Sequence, residues 1–514
     1  MSGQEHPVDE SAGQASGTRV GALTLPIPAW TRLPRYPWLV VGTVCIGAFM
    51  AALDASIVTI ALPSIGASYH IGLNLAAWVS ISYLLTLTAL VVTFGRVADL
   101  LSRRTVYTAG FSVFIIGSAL TGAAPTFPIM IASRVLQAIG AGMLQANSVA
   151  IVTAAAPPGG RGRAIGFQAA AQAIGLSLGP TIGGLLVADF GWRSVFYVNV
   201  PVGILGTLAG LAILPADRPK ERPKGKGLGF DAPGAVFLAF TLVALMFAVT
   251  QGYKLGWTSP AVLASFAAAV AGGVVLALVE RKSPHPLVHP ALLRLPVFMV
   301  GNLTGLLSYA TTFGVLFLMP YEFTRAFHLG TALSGLLITA VPLAMMAASP
   351  FGGSLADRYG AERLTIAGAA VMEVGMLGLA LLGFTDSAYA LVPALIVIGI
   401  GMGLFTPPNN SSVMGAAPDA HLGTAGGVLN MARSLGMSMG SAVAATLYAS
   451  FLVMYAGRED SLSMLPNLQA CRDAFLGFAL IAAVTVMFTL IRSDNNTGDR
   501  GVRTDRERTV FIEM

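Results

Sequence analysis

The sequence predicts an all-α polytopic membrane protein. Its fourteen transmembrane helices form two six-helix halves, with two further helices inserted between them. Three observations carry this prediction. First, 55% of the residues are hydrophobic and only 11% are charged, with a mean hydropathy of +0.74; soluble globular domains carry about 25% charged residues. Second, apolar runs long enough to cross a hydrocarbon core of roughly 30 Å, at about 1.5 Å per residue, recur along the chain. Third, a short motif in the first half returns in the second.

Apolar runs of roughly 17 residues or more lie near 38–60, 75–94, 105–124, 129–153, 164–187, 195–214, 233–251, 258–279, 297–318, 332–351, 364–384, 389–408, 423–450 and 473–491. The chain thus divides into an N-terminal tail (1–37), a first half (38–214), a linker (215–232), the inserted pair (233–279), a loop (280–296), a second half (297–491) and a basic C-terminal tail (492–514). The first tail is polar, rich in Gly and Ser, and too long for the charged start of a signal peptide, so it is expected to be a disordered cytoplasmic segment. Cys45 and Cys471 fall at opposite ends of the chain, which argues against a disulfide framework.

Orientation follows from the positive-inside rule. With the N-terminus inside, 23 of the 30 Lys and Arg residues fall in even-numbered loops and the two tails, including Arg32, Arg35, Arg96, Arg161, Arg163, Arg281 and Lys282. Five fall in odd-numbered loops (Arg193, Lys254, Arg325, Arg458, Arg472), and two, Arg134 and Arg433, fall inside helices. A miscounted helix would scramble this bias, so both termini are expected on the cytoplasmic side. Trp30, Trp38, Trp78, Trp192 and Trp257 fall at or near the expected interfaces, as an aromatic belt requires. The net charge of +6 is therefore a topology signal and not the footprint of a nucleic-acid binder.

The loop after the second run reads GRVADLLSRR (Gly95–Arg104), and that after the tenth reads GSLADRYGAER (Gly353–Arg363). Both carry Gly-x-x-Ala-Asp followed by Arg, with Asp99 and Asp357 at equivalent places in the two halves. Gly95 and Gly353 would let helix ends approach closely. Asp99 and Asp357 could accept hydrogen bonds from a helix N-terminus, with Arg103, Arg104 and Arg358 on the cytoplasmic surface. Such a pair is a latch between halves. Gly175, Gly179 and Gly183 share one helix face beside Pro180 and Gly184, a pattern that packs tightly and bends. A pseudo-symmetric pair of halves places the substrate at their interface near the midplane.

A charge near the middle of a spanning helix costs about 2.5–3.5 kcal/mol on insertion scales, so the ionisable residues within the runs are candidates for function. They are Asp54, Arg134, Glu373 and Arg433, with Glu322 at a helix end and expected as a solvated rim charge. Asp54 is suited to carry a proton or a cation. The amides Gln137, Gln145, Asn147, Gln168, Gln172, Asn302, Asn409, Asn410 and Asn430 could line a wet path, and Met319, Met345, Met346 and Met402 would suit an adaptable apolar pocket. The histidines lack metal-ligand spacing and no GxxxxGK[ST] phosphate loop occurs. No metal, cofactor or direct use of ATP is expected, and no enzymatic activity.

Several motifs carry a resemblance. Leu53-Asp54-Ala-Ser-Ile-Val-Thr-Ile-Ala-Leu62-Pro63 is similar to an LDxTIVNVALP signature, with Ser56 for Thr and Thr59 for Asn. Gly95–Arg104 resembles a loop 2–3 motif, with Ser102 where Gly is usual. Arg134-Val-Leu-Gln137-Ala-Ile-Gly140-Ala-Gly142 resembles RxxQGxG, with Ala138 for the first Gly. Gly175 to Gly184 matches GxxxGPxxGG in full. The segment Trp192-Arg193 to Gly203 and the helix from Gly426 through Asn430, Arg433 and Gly436 to Gly440 resemble later signatures. Over roughly residues 38–491 the chain resembles the major facilitator superfamily, and within it the fourteen-helix drug:proton antiporters, the EmrB/QacA-like exporters. The resemblance implies the major facilitator fold and alternating access, with export rather than uptake on the strength of the 175–184 motif. It places helices 1 and 4 beside the central cavity, so that an Asp54–Arg134 couple in the outer half would exchange a proton for substrate, with Glu373 as a further candidate. It also implies a monomer in the inner (cytoplasmic) membrane, whose partners are protons, lipids and amphipathic, possibly cationic, small molecules. Alternatives are a dedicated exporter of one metabolite, antibiotic or lipid, and a non-transporting membrane sensor or scaffold.

Overall fold

The computed structural model describes residues 18–20, 23–215, 231–284, 286–382, 387–457 and 464–512. Its spans are α1 Tyr36–Ser68, α2 Trp78–Leu100, α3 Arg103–Ala123, α4 Phe127–Ala155, α5 Arg161–Phe190, α6 Ser194–Ile213, α7 Ala232–Leu255, α8 Pro260–Lys282, α9 Pro296–Tyr321, α10 Leu333–Tyr359, α11 Ala361–Leu382, α12 Ala388–Ala416, α13 Leu422–Ala456 and α14 Met464–Ile512. Among the described residues thirteen are unbroken apolar spans; α5 is the fourteenth, bent by 42° between Arg161–Gly179 and Thr181–Phe190. The bend falls at Pro180, where the chain lacks an N–H to continue the helical ladder. The ends follow local chemistry. Ser102, Asp231 and Ser259 cap α3, α7 and α8 by accepting from the backbone of the first turn, and Gly457 closes α13 in the left-handed region.

Helices α1–α6 and α9–α14 form two bundles. One core gathers around Tyr107, Phe111 and Phe114 and continues across to Val413, Leu422 and Val428 of α12 and α13; a second, around Phe405, Phe475 and Phe478, lies within the other bundle. A smaller cluster of Ile57, Val58, Trp192 and Phe196 closes one end of the first bundle. The bundles meet along two seams, α2 against α13 and α5 against α10. These seams correspond under a shift of eight helices, as an internal repeat requires. Close approach is built from glycine. A side chain on Gly95 would run into the backbone of Gly423, and one on Gly353 into that of Gly162. The inserted helix α7 packs on both α2 and α13. Trp78 and Phe247 meet there at 6.3 Å between ring centroids, and Trp257 Nε1 donates to Thr446 Oγ1 at 2.8 Å. Helix α8 lies outside α7 and exposes Leu263, Val270, Val274 and Leu278.

Three expectations need correction. The N-terminal tail is not unstructured throughout: Thr18–Val20 pairs antiparallel with Leu23–Leu25, and the Ile27 N–H donates to the Ala212 carbonyl at the end of α6. Backbone pairing and this docking stabilise what a composition rich in Gly and Ser suggested would stay loose. The last helix begins at Met464, so Arg472 lies within α14, where it pairs with Asp473 at 2.6 Å. A neighbouring opposite charge lets it stay near a span end. Helix α14 also runs on to Ile512 through the stretch expected to be a basic tail. Most of the expected linker, residues 216–230, lies outside the described residues.

Gly353→Val should wedge the α5–α10 seam apart, because the added atoms meet Gly162 backbone rather than a movable side chain. Overpacking costs about 1–3 kcal/mol. The expected result is at least about fivefold faster labelling of Ser349→Cys, fully buried at that seam, by a water-soluble maleimide in a background with Cys45 and Cys471 replaced. Unchanged labelling would show that the seam does not depend on this contact.

Candidate functional site

Asp54 sits in the middle third of α1 with no solvent exposure, and both carboxylate oxygens are occupied. Arg134 Nη1 donates to Oδ2 at 2.8 Å. Gln137 Nε2 and Asn199 Nδ2 donate to Oδ1 at 2.9 and 3.0 Å. Two further donations from Arg134 are directed as well: Nη1 also reaches Gln137 Oε1 at 2.7 Å, and Nε reaches the Val79 carbonyl at 3.1 Å. The guanidinium lies 4.3 Å from the Tyr83 ring centroid and 5.5 Å from that of Phe196. Asn199 donates in turn to Ser118 Oγ at 3.1 Å, and Ser118 to the Phe196 carbonyl. Side chains of α1, α3, α4 and α6, with backbone of α2, thus close around one ion pair.

Arg134 and Gln137 reach the same carboxylate because they are three residues apart on one helix face. Asn199 opens the longer segment of α6, directly after the short turn Ser194–Tyr197, and is buried. The glycine face of α5 holds α1 in place beside this network. Side chains on Gly175, Gly179 and Gly183 would collide with α1 at Phe49, Ser56 and Ile57, and Ser56 Oγ donates to the Gly175 carbonyl at 3.3 Å. Gly184 faces open space and takes no part in this contact.

At one face of the molecule the two repeated acids join the halves. Asp99 accepts from the N–H groups of Gly423 and Thr424 at 2.9 and 2.8 Å, and from Thr424 Oγ1 at 3.1 Å. Asp357 accepts from the N–H groups of Gly162 and Arg163 at 2.7 and 2.9 Å. Each carboxylate satisfies orphan donors in the first turn of a helix of the opposite half, α13 or α5, where the helix dipole favours an anion. Arg103 bridges Asp99 at 3.1 Å and the Asp419 carbonyl at 2.5 Å. Arg358 is exposed against Tyr359. Arg104, expected on the surface, is instead buried: its Nη2 donates to the Leu211 carbonyl of α6 at 2.7 Å. The last carbonyls of a helix need donors, and Arg104 ties α3 to α6 within one half.

A third cluster crosses between the halves farther in. Arg433 of α13 donates through Nη1 to Gln172 Oε1 of α5, and through Nη2 to Gln145 Oε1 of α4 at 2.6 Å. The Tyr309 ring of α9 lies 5.8 Å from it. Asn430 Nδ2 donates to the Gln145 carbonyl at 2.9 Å, and Gln168 Nε2 to Ser148 Oγ at 3.5 Å. Arg433 and Gln172 each stand about eleven residues into their helices, roughly 16 Å from the Asp99 face. That depth is near mid-membrane.

Of the expected substrate-path residues, Gln168, Gln172 and Asn430 belong to this cluster. Asn302 and Asn409 do not: each donates to an α9 carbonyl, Phe298 and Gly301 respectively. Met345 packs on the core of the second half. Asp54 and Gln137 are fully buried with their polar atoms engaged, so neither is open to the cleft in this conformation. Glu373, on α11, forms no contact with the Asp54 network. Glu322, expected as a rim charge, is wholly buried in the π-helical turn Glu322–Ala326, and among the described residues neither of its oxygens has a partner; the turn packs against α14, which covers it. Two participants were missed, Asn199 and Ser118. A lone amide in the apolar stretch VNVPVG was the available signal for the first; a serine among small residues carries none.

Arg134→Ala leaves a carboxylate buried and unbalanced, which costs about 3–5 kcal/mol. Thermal unfolding in detergent should fall by several degrees, and Asp54→Asn combined with Arg134→Ala should recover most of the loss. A double variant no more stable than Arg134→Ala would show that the two side chains are not energetically coupled.

The Major Facilitator Superfamily model matches residues 44–441 and 301–507. The chain is 34% identical over 419 residues to the riboflavin transporter RibZ of Clostridioides difficile, covering 81% of this chain and 90% of that protein. It is 33% identical over 408 residues to the multidrug resistance protein Stp of Mycobacterium tuberculosis, covering 79% and 75%. Among solved structures, the human organic anion transporter MFSD10 superposes with a TM-score of 0.65 at 16% identity over 89% of this chain, a likeness of fold. With its helical bundles, paired seams and this match across most of its length, the chain belongs to the major facilitator superfamily.

Proposed function

We propose that the protein is a proton-coupled antiporter of the fourteen-helix drug:proton type, exporting amphipathic small molecules across the cytoplasmic membrane by alternating access. Relatives named for multidrug resistance or multidrug transport support efflux by a transporter rather than catalysis. The observation that carries the proton-coupling half of the proposal is the closed Asp54 network. Its carboxylate is the acceptor for three donors on two neighbouring helices, α4 and α6. A proton on Asp54 removes the negative charge that those donors are arranged around, and so loosens α1 from α4 and α6. Helix α1 is clasped to α5, and the first turn of α5 is held by Asp357 from the other half. The proton site and the latch therefore share a helix pair.

With the Asp99 face taken as cytoplasmic, both latches are shut on that side and the conformation is closed to the cytoplasm. Protonation from outside would accompany substrate release there; deprotonation would follow when the latches open inward. The membrane potential adds about 2.3 kcal/mol per charge per 100 mV. The protein acts as a monomer with both termini inside, in contact with lipid. Glu373 has no place in this scheme. A dedicated exporter of one compound is the second reading, favoured by the relative named as a riboflavin transporter.

The test is dye flux in proteoliposomes under an imposed pH gradient. Asp54→Asn should reduce gradient-driven flux to the empty-liposome level, at least about a hundredfold, while substrate counterflow stays within a few-fold of wild type. Equal gradient-driven flux in the variant and wild type would overturn the role of Asp54. A protein that shows neither flux nor counterflow would be a sensor or scaffold.

A further inference from the structure

We propose that the Arg433 cluster is a subsite for an anionic oxygen group on the transported molecule, a carboxylate or phenolate carried by an otherwise apolar body, so that the cleft favours anionic over cationic amphiphiles. The proposal rests on the transport reading and names its substrate class.

The first ground is charge. Among the described residues, Arg433 has amide oxygens and an aromatic face as partners, and no carboxylate. The acids within the spans are committed or distant. Asp54 is saturated inside the first half. Glu322 stands thirteen residues beyond Tyr309, in the turn just past the end of α9, roughly 20 Å farther along. Glu373 lies on α11, which packs on α12 and α14. A guanidinium held this deep without a counter-ion is costly, and a ligand that supplies the missing negative charge removes that cost. A cation entering the same place would meet uncompensated positive charge.

The second ground is the donor set. Among the described residues, Arg433 Nε is buried with no acceptor and the side-chain amino groups of Gln145 and Gln172 donate to no protein atom, while their oxygens accept from the guanidinium. A fork of planar N–H donors flanked by amide donors matches a carboxylate or phenolate. The third ground is place. Arg433 is half-buried, between the two halves and near mid-membrane, with partners from α4 and α5 of one half on a helix of the other. A group bound there touches both halves at once.

The experiment compares two dyes of similar size and opposite charge, fluorescein and ethidium, by equilibrium binding to the full chain in phosphatidylcholine nanodiscs. Wild type should bind fluorescein more tightly. Arg433→Gln should lower the fluorescein-to-ethidium affinity ratio by at least about tenfold, the loss expected for a hydrogen-bonded charge, and Arg433→Lys should restore part of it. A wild-type preference for ethidium overturns the proposal, as does an unchanged ratio in Arg433→Gln. If Arg433→Gln is not recovered folded, the wild-type ratio and that of Arg433→Lys decide. Displacement of fluorescein by a few mole per cent of phosphatidylglycerol would assign the subsite to a lipid headgroup and overturn the substrate assignment. Binding with this preference but without pH-driven flux would overturn the transport reading alone, and flux of ethidium but not fluorescein would overturn this inference alone.

Discussion

A carboxylate cannot be held in a low-dielectric interior as an ion unless something answers its charge, and the first half of this protein is arranged around that constraint. Three helices supply side-chain donors or the acceptor itself, a fourth supplies the serine behind Asn199, and α2 lends a backbone carbonyl and an aromatic face to the cation. Pairs of this kind contribute little net stability, because desolvation offsets the attraction, but losing one partner is severe. The network therefore marks a place where the bundle is sensitive to a single proton. Its burial also separates two tasks that the sequence suggested one residue performs: the titratable acid lies within one bundle, while the polar groups facing the cleft lie elsewhere.

The seams between halves obey a different constraint. Surfaces that meet and part cannot interlock deeply, and lipid provides no hydrophobic drive to press them together. Glycine backbones touch directly at Gly95–Gly423 and Gly353–Gly162, and one aspartate per seam satisfies a helix N-terminus that water would otherwise solvate. Such contacts are specific in position yet few in number, which suits the opening joint that the proposed alternating access calls for. The two copies occur at equivalent places, so opening either one relieves the same kind of bond.

Much of this was legible in the sequence because a bilayer simplifies the code. Fourteen spans follow from apolar run length alone, with errors only at their ends, as at Met464. Asp54, Arg134 and the paired Asp99 and Asp357 stood out because charge in oil and a repeated motif are rare. Direction and exposure were less accessible. Nothing in the order of residues says that Arg104 turns inward to α6, that Glu322 is covered by α14, or that Asn302 and Met345 face their own bundle; these depend on which side of each helix meets a neighbour, and all-round apolar helices carry weak periodicity. Arg433 was visible as a charge, but its amide partners come from two helices of the other half and could be joined to it only in three dimensions.

The inserted pair breaks the equivalence of the two seams. Helix α7 lies across α2 and α13 like a batten nailed over one joint, with Trp257 pinned to Thr446. At the opposite joint Phe167 and Phe351 are exposed, and among the described residues neither inserted helix packs across it. Under the proposed alternating access, rocking of the bundles would carry α7 and α8 along on one flank, while the other flank moves without an inserted pair to carry.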